Sequence, residues 1–144
     1  MKTVNHILKD KGSQIWSVSP ETTAYEALEL MADKDVGALL VIDNGKLVGI
    51  FSERDYARKV ILKGKASRDT AVGELMSQAV YYVKLENSLS ECMALMTSKH
   101  IRHLPVIEKD SIVGIITIGD VVKGIISEHE VTISNLETYI SGGR

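Results

Sequence analysis

The sequence predicts a mixed α/β (α+β) fold made of two similar β-α-β-β-α units, with a short helix added at each end. Three observations support this prediction. The chain resembles itself without a gap at an offset of 65 residues, both copies alternate helix-type and strand-type patterns, and both contain a hairpin signal. Because one such unit cannot cover its own sheet, two of them packed together would bury a shared core.

The repeat relates residues 15–56 to residues 80–121. Glu26, Met31, Gly49 and Asp55 are among the residues that recur unchanged 65 positions later. Self-similarity of this extent at a fixed spacing indicates a true duplication. The predicted organisation is therefore an N-terminal helix (1–13), a first repeat (14–63), a linker (64–77), a second repeat (78–127) and a C-terminal helix (128–144).

Each copy is predicted to begin with a short strand, residues 15–18 or 80–83, and to continue with a capped helix. Thr22 or Thr23 can cap the helix of the first copy, and Ser88 that of the second, because their hydroxyls accept from free N–H groups of the first turn. Apolar residues then recur at helical spacing in both copies. The flanking helices are expected at residues 3–9, stopped by Gly12, and at residues 131–140.

A hairpin follows in each copy. Asn44-Gly45, a dipeptide that tolerates positive φ, lies between the apolar runs 39–42 and 47–51. Runs 104–107 and 112–116 form the matching pair. Both strands of each hairpin are continuously apolar, which predicts burial on two faces. A closing helix is expected to start near Ser52 and near Thr117.

Composition limits the possible functions. A net charge of -2, with 17 basic and 19 acidic side chains, gives no general attraction to nucleic acid or to an anionic membrane. No apolar run approaches the roughly 20 residues that span a bilayer, and no secretory segment follows Met1, so we expect a cytoplasmic protein.

The single cysteine, Cys92, aligns with Ala27 and is interpreted as a buried structural thiol. His100 and His103 lack a further metal ligand at suitable spacing, so no metal site is predicted.

The polar part of the repeat is a hydroxyl followed three residues later by a carboxylate. Ser52 and Asp55 carry it in the first copy, and Thr117 and Asp120 in the second. At a strand-to-helix junction, free N–H groups and the helix dipole favour an anion, and a carboxylate one turn on can accept from two ribose hydroxyls. The alternative is that the hydroxyls are N-caps and the acids only stabilise the first turn.

This gapless duplication, with Gly-apolar-apolar-Ser/Thr-x-x-Asp closing each copy, resembles the CBS-domain pair, also called a Bateman module. The resemblance covers residues 14–127. It implies two repeats packed through their sheets with pseudo-two-fold symmetry. It also implies clefts between the repeats for AMP, ADP, ATP, S-adenosylmethionine or a dinucleotide such as NADH, with AMP expected most.

Carried over by residue, the resemblance implies that Asp55 and Asp120 hold ribose and that Ser52 and Thr117 approach phosphate or ribose oxygens. In that family, basic residues often precede the Leu-Pro-Val strand, and here these are Arg102 and His103. The first copy departs from this pattern because it has Gly37-Ala38, so the two sites are expected to be unequal.

Three basic residues carry open interpretations. Arg102 could bind phosphate, because a guanidinium is always charged and matches phosphate geometry, or it could be a solvated loop arginine. His103 could donate to a phosphate when protonated or close a hydrogen bond beside the sheet. Arg54 could extend toward a polyphosphate or a second subunit, or belong to a solvated basic face.

The predicted function is a non-catalytic module that senses an adenine nucleotide and modulates an unidentified partner protein. The resemblance also implies a homodimer of CBS pairs. The sequence contains no phosphate-binding Gly-x-x-x-x-Gly-Lys-Ser/Thr loop and no Gly-x-Ser-x-Gly nucleophile elbow, which argues against catalysis. The alternatives are a dimerisation scaffold with degenerate clefts and the detached regulatory part of a nucleotide dehydrogenase.

Overall fold

The computed structural model describes residues 2–129 of the 144-residue chain, which divide into two compact units. The first unit is Ile15–Tyr81, and the second combines residues 2–14 with residues 82–129. Each unit thus holds one copy of the repeat and a segment from outside it. The predicted C-terminal helix, at residues 131–140, lies outside the described residues.

The elements follow the predicted order, apart from a short helix within the predicted linker and the strand expected at residues 80–83. In the first unit they are β1 (Ser17–Val18), α2 (Ala24–Lys34), β2 (Ala38–Asp43), β3 (Lys46–Ser52), α3 (Glu53–Tyr56), a π-helical segment (Ala57–Ile61) and α4 (Val72–Leu75). In the second unit they are α1 (Val4–Lys11), α5 (Leu89–Lys99), β4 (His103–Glu108), β5 (Ser111–Thr117) and α6 (Ile118–Glu128). The α+β class predicted from the sequence is confirmed.

Both hairpins form as predicted, with matching registers. Ala38 pairs with Ser52 at the open end of the β2–β3 hairpin, and His103 pairs with Thr117 in the β4–β5 hairpin. Asn44 and Gly45 adopt positive φ in the first turn, and Lys109 and Asp110 do so in the second. The second turn therefore has the same left-handed backbone without a glycine.

The first strand differs between the units. β1 runs parallel to β2, and the Leu40 N–H donates to the Trp16 carbonyl at 3.2 Å. The prediction of a strand at residues 80–83 is wrong in extent, because only Val83 forms a parallel bridge, to Val106. The residue equivalent to Leu40 is Pro105, which has no N–H to donate, and this shortens the ladder.

Helix capping follows the sequence. Thr23, rather than Thr22, caps α2, and Ser88 caps α5; each hydroxyl accepts from the N–H of a glutamate three residues later. Each glutamate side chain accepts in return from the backbone N–H of the cap residue, which satisfies two free donors at each helix start. Helix α1 is capped by Thr3 and ends before Gly12, whose φ is 93°.

The flanking segments complete the two cores. Val4 on α1 and Val72 on α4 are fully buried, and their N–H groups donate to the carbonyls of Asn87 and Thr22, which are equivalent positions of the repeat. The whole segment predicted to be a linker (64–77) therefore belongs to the first unit, and the N-terminal helix belongs to the second. The structural repeat thus extends beyond the matching sequence.

Buried apolar side chains form a core in each unit. In the first unit they are Ala24, Ala27, Met31, Leu39, Val41, Phe51, Val60, Val72 and Leu75. In the second unit they include Val4, Leu89, Cys92, Met96, Leu104, Val106, Ile116 and Val121. Within residues 2–129 no helix combines the length and the apolar content needed to cross a bilayer.

Candidate functional site

The candidate site of the second unit lies where β5 ends and α6 begins. Thr117 caps α6: its Oγ1 accepts from the Asp120 N–H at 3.1 Å, and Asp120 Oδ2 accepts from the Thr117 N–H at 2.9 Å. The capping interpretation considered above is therefore present in the structure. A carboxylate has about four acceptor positions, so this cap leaves Asp120 able to accept from further donors.

Arg102 and His103 lie beside this junction. His103 is the cross-strand partner of Thr117, and the Arg102 carbonyl accepts from the Ile118 N–H at 2.9 Å. Arg102 is exposed, whereas His103 is partly buried. The fold thus brings together the four predicted residues of this copy, Arg102, His103, Thr117 and Asp120.

Lys11 is a member of this cluster that the sequence interpretation missed. Its Nζ donates to Asp120 Oδ2 at 2.7 Å and to the Ile115 carbonyl at 3.1 Å. It comes from the last turn of α1, more than a hundred residues from Asp120. The polar repeat motif contains no signal for this contact, because α1 precedes the matching part of the chain.

His103 has a pKa below its ordinary value. Burial of the ring is the main cause, the positive charges of Lys11 and Arg102 add to it, and the negative charge of Asp120 opposes it. Each of these cations favours the neutral imidazole, as does removal of the ring from water. At neutral pH the neutral imidazole of His103 therefore predominates, and this form can donate one hydrogen bond.

The first unit builds the same junction from Ser52 and Asp55. Asp55 Oδ2 accepts from the Ser52 N–H at 2.9 Å and from its hydroxyl at 3.0 Å, while the Asp55 N–H donates to Ser52 Oγ at 3.2 Å. Ala38 pairs with Ser52, and the Gly37 carbonyl accepts from the Glu53 N–H at 3.0 Å. The four positions again converge.

Asp55 has a different set of neighbours from Asp120. Lys59, four residues further on in the π-helical segment, lies 3.4 Å from Asp55 Oδ1 and also donates to the Leu75 carbonyl. The Ser77 hydroxyl donates to Oδ1 at 3.4 Å. Arg54, the remaining predicted residue, lies on α3 and is partly buried. The two sites thus differ in their charged side chains, while unequal ligand binding stays a prediction.

A separate depression of about 660 Å³ lies on the first unit, where α2, Tyr56 and residues 66–69 meet. Arg68 stacks on the Tyr25 ring with its guanidinium carbon 4.2 Å from the ring centre, and the Tyr56 hydroxyl bonds Ser67 Oγ at 2.8 Å. None of the predicted site residues lines this depression. It therefore contributes nothing to the hydroxyl–carboxylate sites.

Cys92 is buried in the core of the second unit, as predicted, and burial raises the pKa of its thiol to about 11. A thiol with this pKa is protonated at neutral pH and is a poor nucleophile. His100 ends α5 in the left-handed conformation. Among residues 2–129, no group of three or more His, Cys, Asp and Glu side chains is arranged to hold a metal ion.

Fold and site together define a duplicated α+β protein whose two hairpin–helix junctions each pair a hydroxyl with a carboxylate. The profile of the family described as "CBS domain" matches residues 11–62 and 72–131. The chain therefore belongs to the CBS-domain family and contains a tandem pair of these domains. Pairs of CBS domains commonly act as regulatory, ligand-binding modules, and proteins made only of them are generally non-catalytic.

Similar proteins support this assignment. The CBS domain-containing protein CBSX3, mitochondrial, of Arabidopsis thaliana is 38% identical over 98% of this chain and 73% of its own length. A solved CBS-domain protein from Burkholderia ambifaria is 47% identical, with a TM-score of 0.85 over 88% of this chain and 95% of that one.

A more distant structure shares the fold. The CBS domain pair of protein MJ0100, solved in complex with 5-methylthioadenosine and S-adenosylmethionine, has a TM-score of 0.78 over 89% of this chain and 98% of its own. Its identity to this chain is 22%, so the likeness concerns the fold alone.

Proposed function

We propose that this protein is a non-catalytic sensor that binds an adenine nucleotide and modulates a partner protein in response. The observation that carries the proposal is the cluster in the second unit, where Asp120 and Thr117 lie beside Arg102, His103 and Lys11. It combines a carboxylate acceptor with cationic and neutral donors at one helix start. A nucleotide requires this combination, because it presents ribose hydroxyls and an anionic phosphate.

Each group has a distinct role in the proposal. Asp120 accepts hydrogen bonds from ribose hydroxyls, and Thr117 donates its hydroxyl proton to a phosphate or ribose oxygen. Arg102 supplies a permanent positive charge whose planar geometry suits phosphate. In the first unit, Ser52 and Asp55 repeat the ribose-binding pair, with Arg54 as the candidate phosphate contact, while Gly37 and Ala38 offer no charge.

AMP is the ligand we favour, and ADP, ATP, NADH and S-adenosylmethionine are the alternatives. The adenosyl compounds bound by MJ0100 show what that protein accepts, and the shared fold is not evidence for ligand choice here. The support for a phosphorylated ligand comes from the positive charges around Asp120. A cytoplasmic location also stays a prediction.

A second copy of this chain is the first partner we propose. Ile118, Val122 and Ile126 are between 36% and 44% exposed and recur every four residues along α6, so they form an apolar stripe on one helix face. Such a stripe suits a symmetric contact between two copies. The regulated protein is a further, unidentified partner. The net charge of -2 supports neither nucleic acid nor an anionic membrane as a partner.

Thermal unfolding with AMP, ATP, NADH or S-adenosylmethionine tests the proposal. A ligand that binds only the folded chain at 100 times its Kd stabilises it by about 2.7 kcal/mol, which raises Tm by several degrees. We expect Asp120→Asn to reduce the AMP shift strongly, because the amide keeps an acceptor for the cap but loses the charge and one acceptor oxygen. The matched variant Asp55→Asn reports on the first unit.

The outcomes separate the candidate functions. A Tm shift that Asp120→Asn reduces supports the nucleotide sensor. A shift with any of these ligands that neither Asp variant alters would contradict the assigned residues. No shift with any of them would overturn the sensor and favour a scaffold without nucleotide affinity.

A further inference from the structure

Lys11 contacts Asp120, although the two residues are 109 positions apart in the sequence. Its ammonium lies 2.7 Å from Asp120 Oδ2, and its side chain is about one third exposed. A surface lysine usually gains little from one ion pair. Here the same Nζ also donates to the Ile115 carbonyl, so two acceptors place the ammonium beside the candidate ligand site.

The hydrogen bond from Lys11 to the Ile115 carbonyl arises from a difference between the flanking helices α4 and α1. In the first unit, α4 ends at Leu75, and the N–H of Ser77 donates to the Ile50 carbonyl at 2.8 Å. In the second unit, α1 continues to Lys11, and the lysine ammonium takes the equivalent carbonyl, that of Ile115. A side-chain cation thus replaces a backbone donor at this one position of the fold.

The equivalent of Lys59 in the second unit is Gly124, which has no side chain to offer to Asp120. Asp55 and Asp120 therefore both have an ammonium nearby, but from unrelated positions. Lys59 lies on the π-helical segment that directly continues α3, and this continuous helical backbone holds it close to Asp55. Lys11 lies on a separate helix, with a flexible four-carbon stem, and can reorient without moving Asp120.

We propose that Lys11 determines the specificity of the second-unit site and selects ligands that carry both a ribose diol and a phosphate. This proposal rests on the nucleotide-binding function proposed above. In the free protein, Lys11 neutralises Asp120. On nucleotide binding, the ribose hydroxyls donate to Asp120 and the Lys11 ammonium turns to the phosphate, so each charge keeps a partner.

A nucleoside without phosphate cannot complete this exchange. Its hydroxyls compete with Lys11 for Asp120. Because the displaced ammonium then has no anion to pair with, the affinity for the nucleoside is lower. S-adenosylmethionine adds a positive sulfonium next to Lys11 and Arg102, and like charges in a partly buried site repel. Lys11 and Arg102 therefore both favour AMP over adenosine and over S-adenosylmethionine.

The test compares adenosine with AMP by isothermal titration calorimetry on the full chain, with Lys11→Met as the variant. We expect wild type to bind AMP more tightly than adenosine, and Lys11→Met to weaken AMP binding about tenfold, the size of one charge-assisted hydrogen bond. Adenosine binding should stay unchanged or become tighter. Lys9→Met, an exposed lysine two residues away on α1, is the matched control and should behave as wild type.

The remaining outcomes overturn one proposal or the other. If Lys11→Met weakens adenosine and AMP equally, or weakens neither, Lys11 does not set specificity while the nucleotide function stands. If wild type binds neither compound, the proposed function fails and the role of Lys11 fails with it. The Tm of each variant, measured without ligand, confirms that the titrated protein is folded.

Discussion

Asp55 has an ammonium partner four residues further along the chain, on the π-helical segment that continues α3, whereas Asp120 has one on a helix that precedes the repeat. The backbone around the two carboxylates is nevertheless the same: each accepts from the N–H of a hydroxyl residue that caps the helix. Duplication has thus preserved the geometry that positions the acid. The ammonium that pairs with each acid, from Lys59 or Lys11, comes from outside the matching part of the repeat.

The helices that close the two copies also agree in one part and differ in another. Both begin with a capping box, at Ser52 and at Thr117. The first then passes into the π-helical segment Ala57–Ile61, while the second continues as a regular α-helix to Glu128. The starts of the helices are therefore similar in both copies and their continuations differ. Substitutions at equivalent positions should reveal which differences matter for stability.

Replacement of Gly49 in β3 and of Gly114 in β5 should give the largest difference in stability between the two units. A Cβ on Gly49 would lie 2.6 Å from Met76 Sδ and 3.0 Å from the backbone carbonyl oxygen of Ser77, whereas a Cβ on Gly114 would lie 2.8 Å from two methyl carbons of Leu8. We expect Gly49→Ala to lower the free energy of unfolding by about 1–3 kcal/mol, and Gly114→Ala by less, because a side chain moves more easily than backbone. Urea unfolding measures both.

A compensating change tests the reason for this difference. Leu8→Ala combined with Gly114→Ala should remove the close approach in the second unit, so the two changes should cost less together than the sum of each alone. Met76→Ala should relieve Gly49→Ala only in part, because the Ser77 carbonyl remains. Full relief in both units would show that backbone crowding plays no role.

The helix caps should give a smaller effect, and an equal one in the two units. Thr23→Ala and Ser88→Ala each remove a hydroxyl that accepts from the N–H of a glutamate three residues later. We expect each to cost about 1 kcal/mol in urea unfolding. Ser90→Ala, exposed on α5 next to the cap, is the control and should change stability little. A marked inequality between the two caps would show that the copies differ at the backbone level too.

Sequence patterns predicted the caps and the hairpins, because each depends on residues within a few positions of one another. Thr23 with Glu26, and Asn44 with Gly45, are local signals of this kind. The pairing of Lys11 with Asp120 was not predictable, because it joins elements far apart in the chain. The burial of Val4 and Val72 at equivalent positions was also missed, because the two flanking segments share little sequence beyond that valine.

The smallest expected effect is on the pH dependence of the free energy of unfolding. It concerns the second site alone, which has His103 at the position that Ala38 occupies in the first. The pKa of His103 in the folded chain lies below the value of about 6.5 expected for the unfolded chain, mainly because the ring is buried and also because Lys11 and Arg102 are near, against the opposing charge of Asp120. As pH falls through 6.5, the unfolded chain binds a proton that the folded chain does not. The free energy of unfolding therefore decreases from that pH down to the folded pKa.

His103→Ala gives the second unit the residue of the first and should remove this contribution, so wild type should lose more stability than the variant between pH 7.5 and pH 5.5. The other histidines are common to both proteins and cancel in the comparison. A bound phosphate would favour the charged imidazole, so the affinity of wild type for AMP should rise over the same pH range relative to that of the variant. Equal pH dependence of stability in the two proteins would contradict the lowered pKa, and equal pH dependence of AMP affinity would place His103 outside the reach of the phosphate.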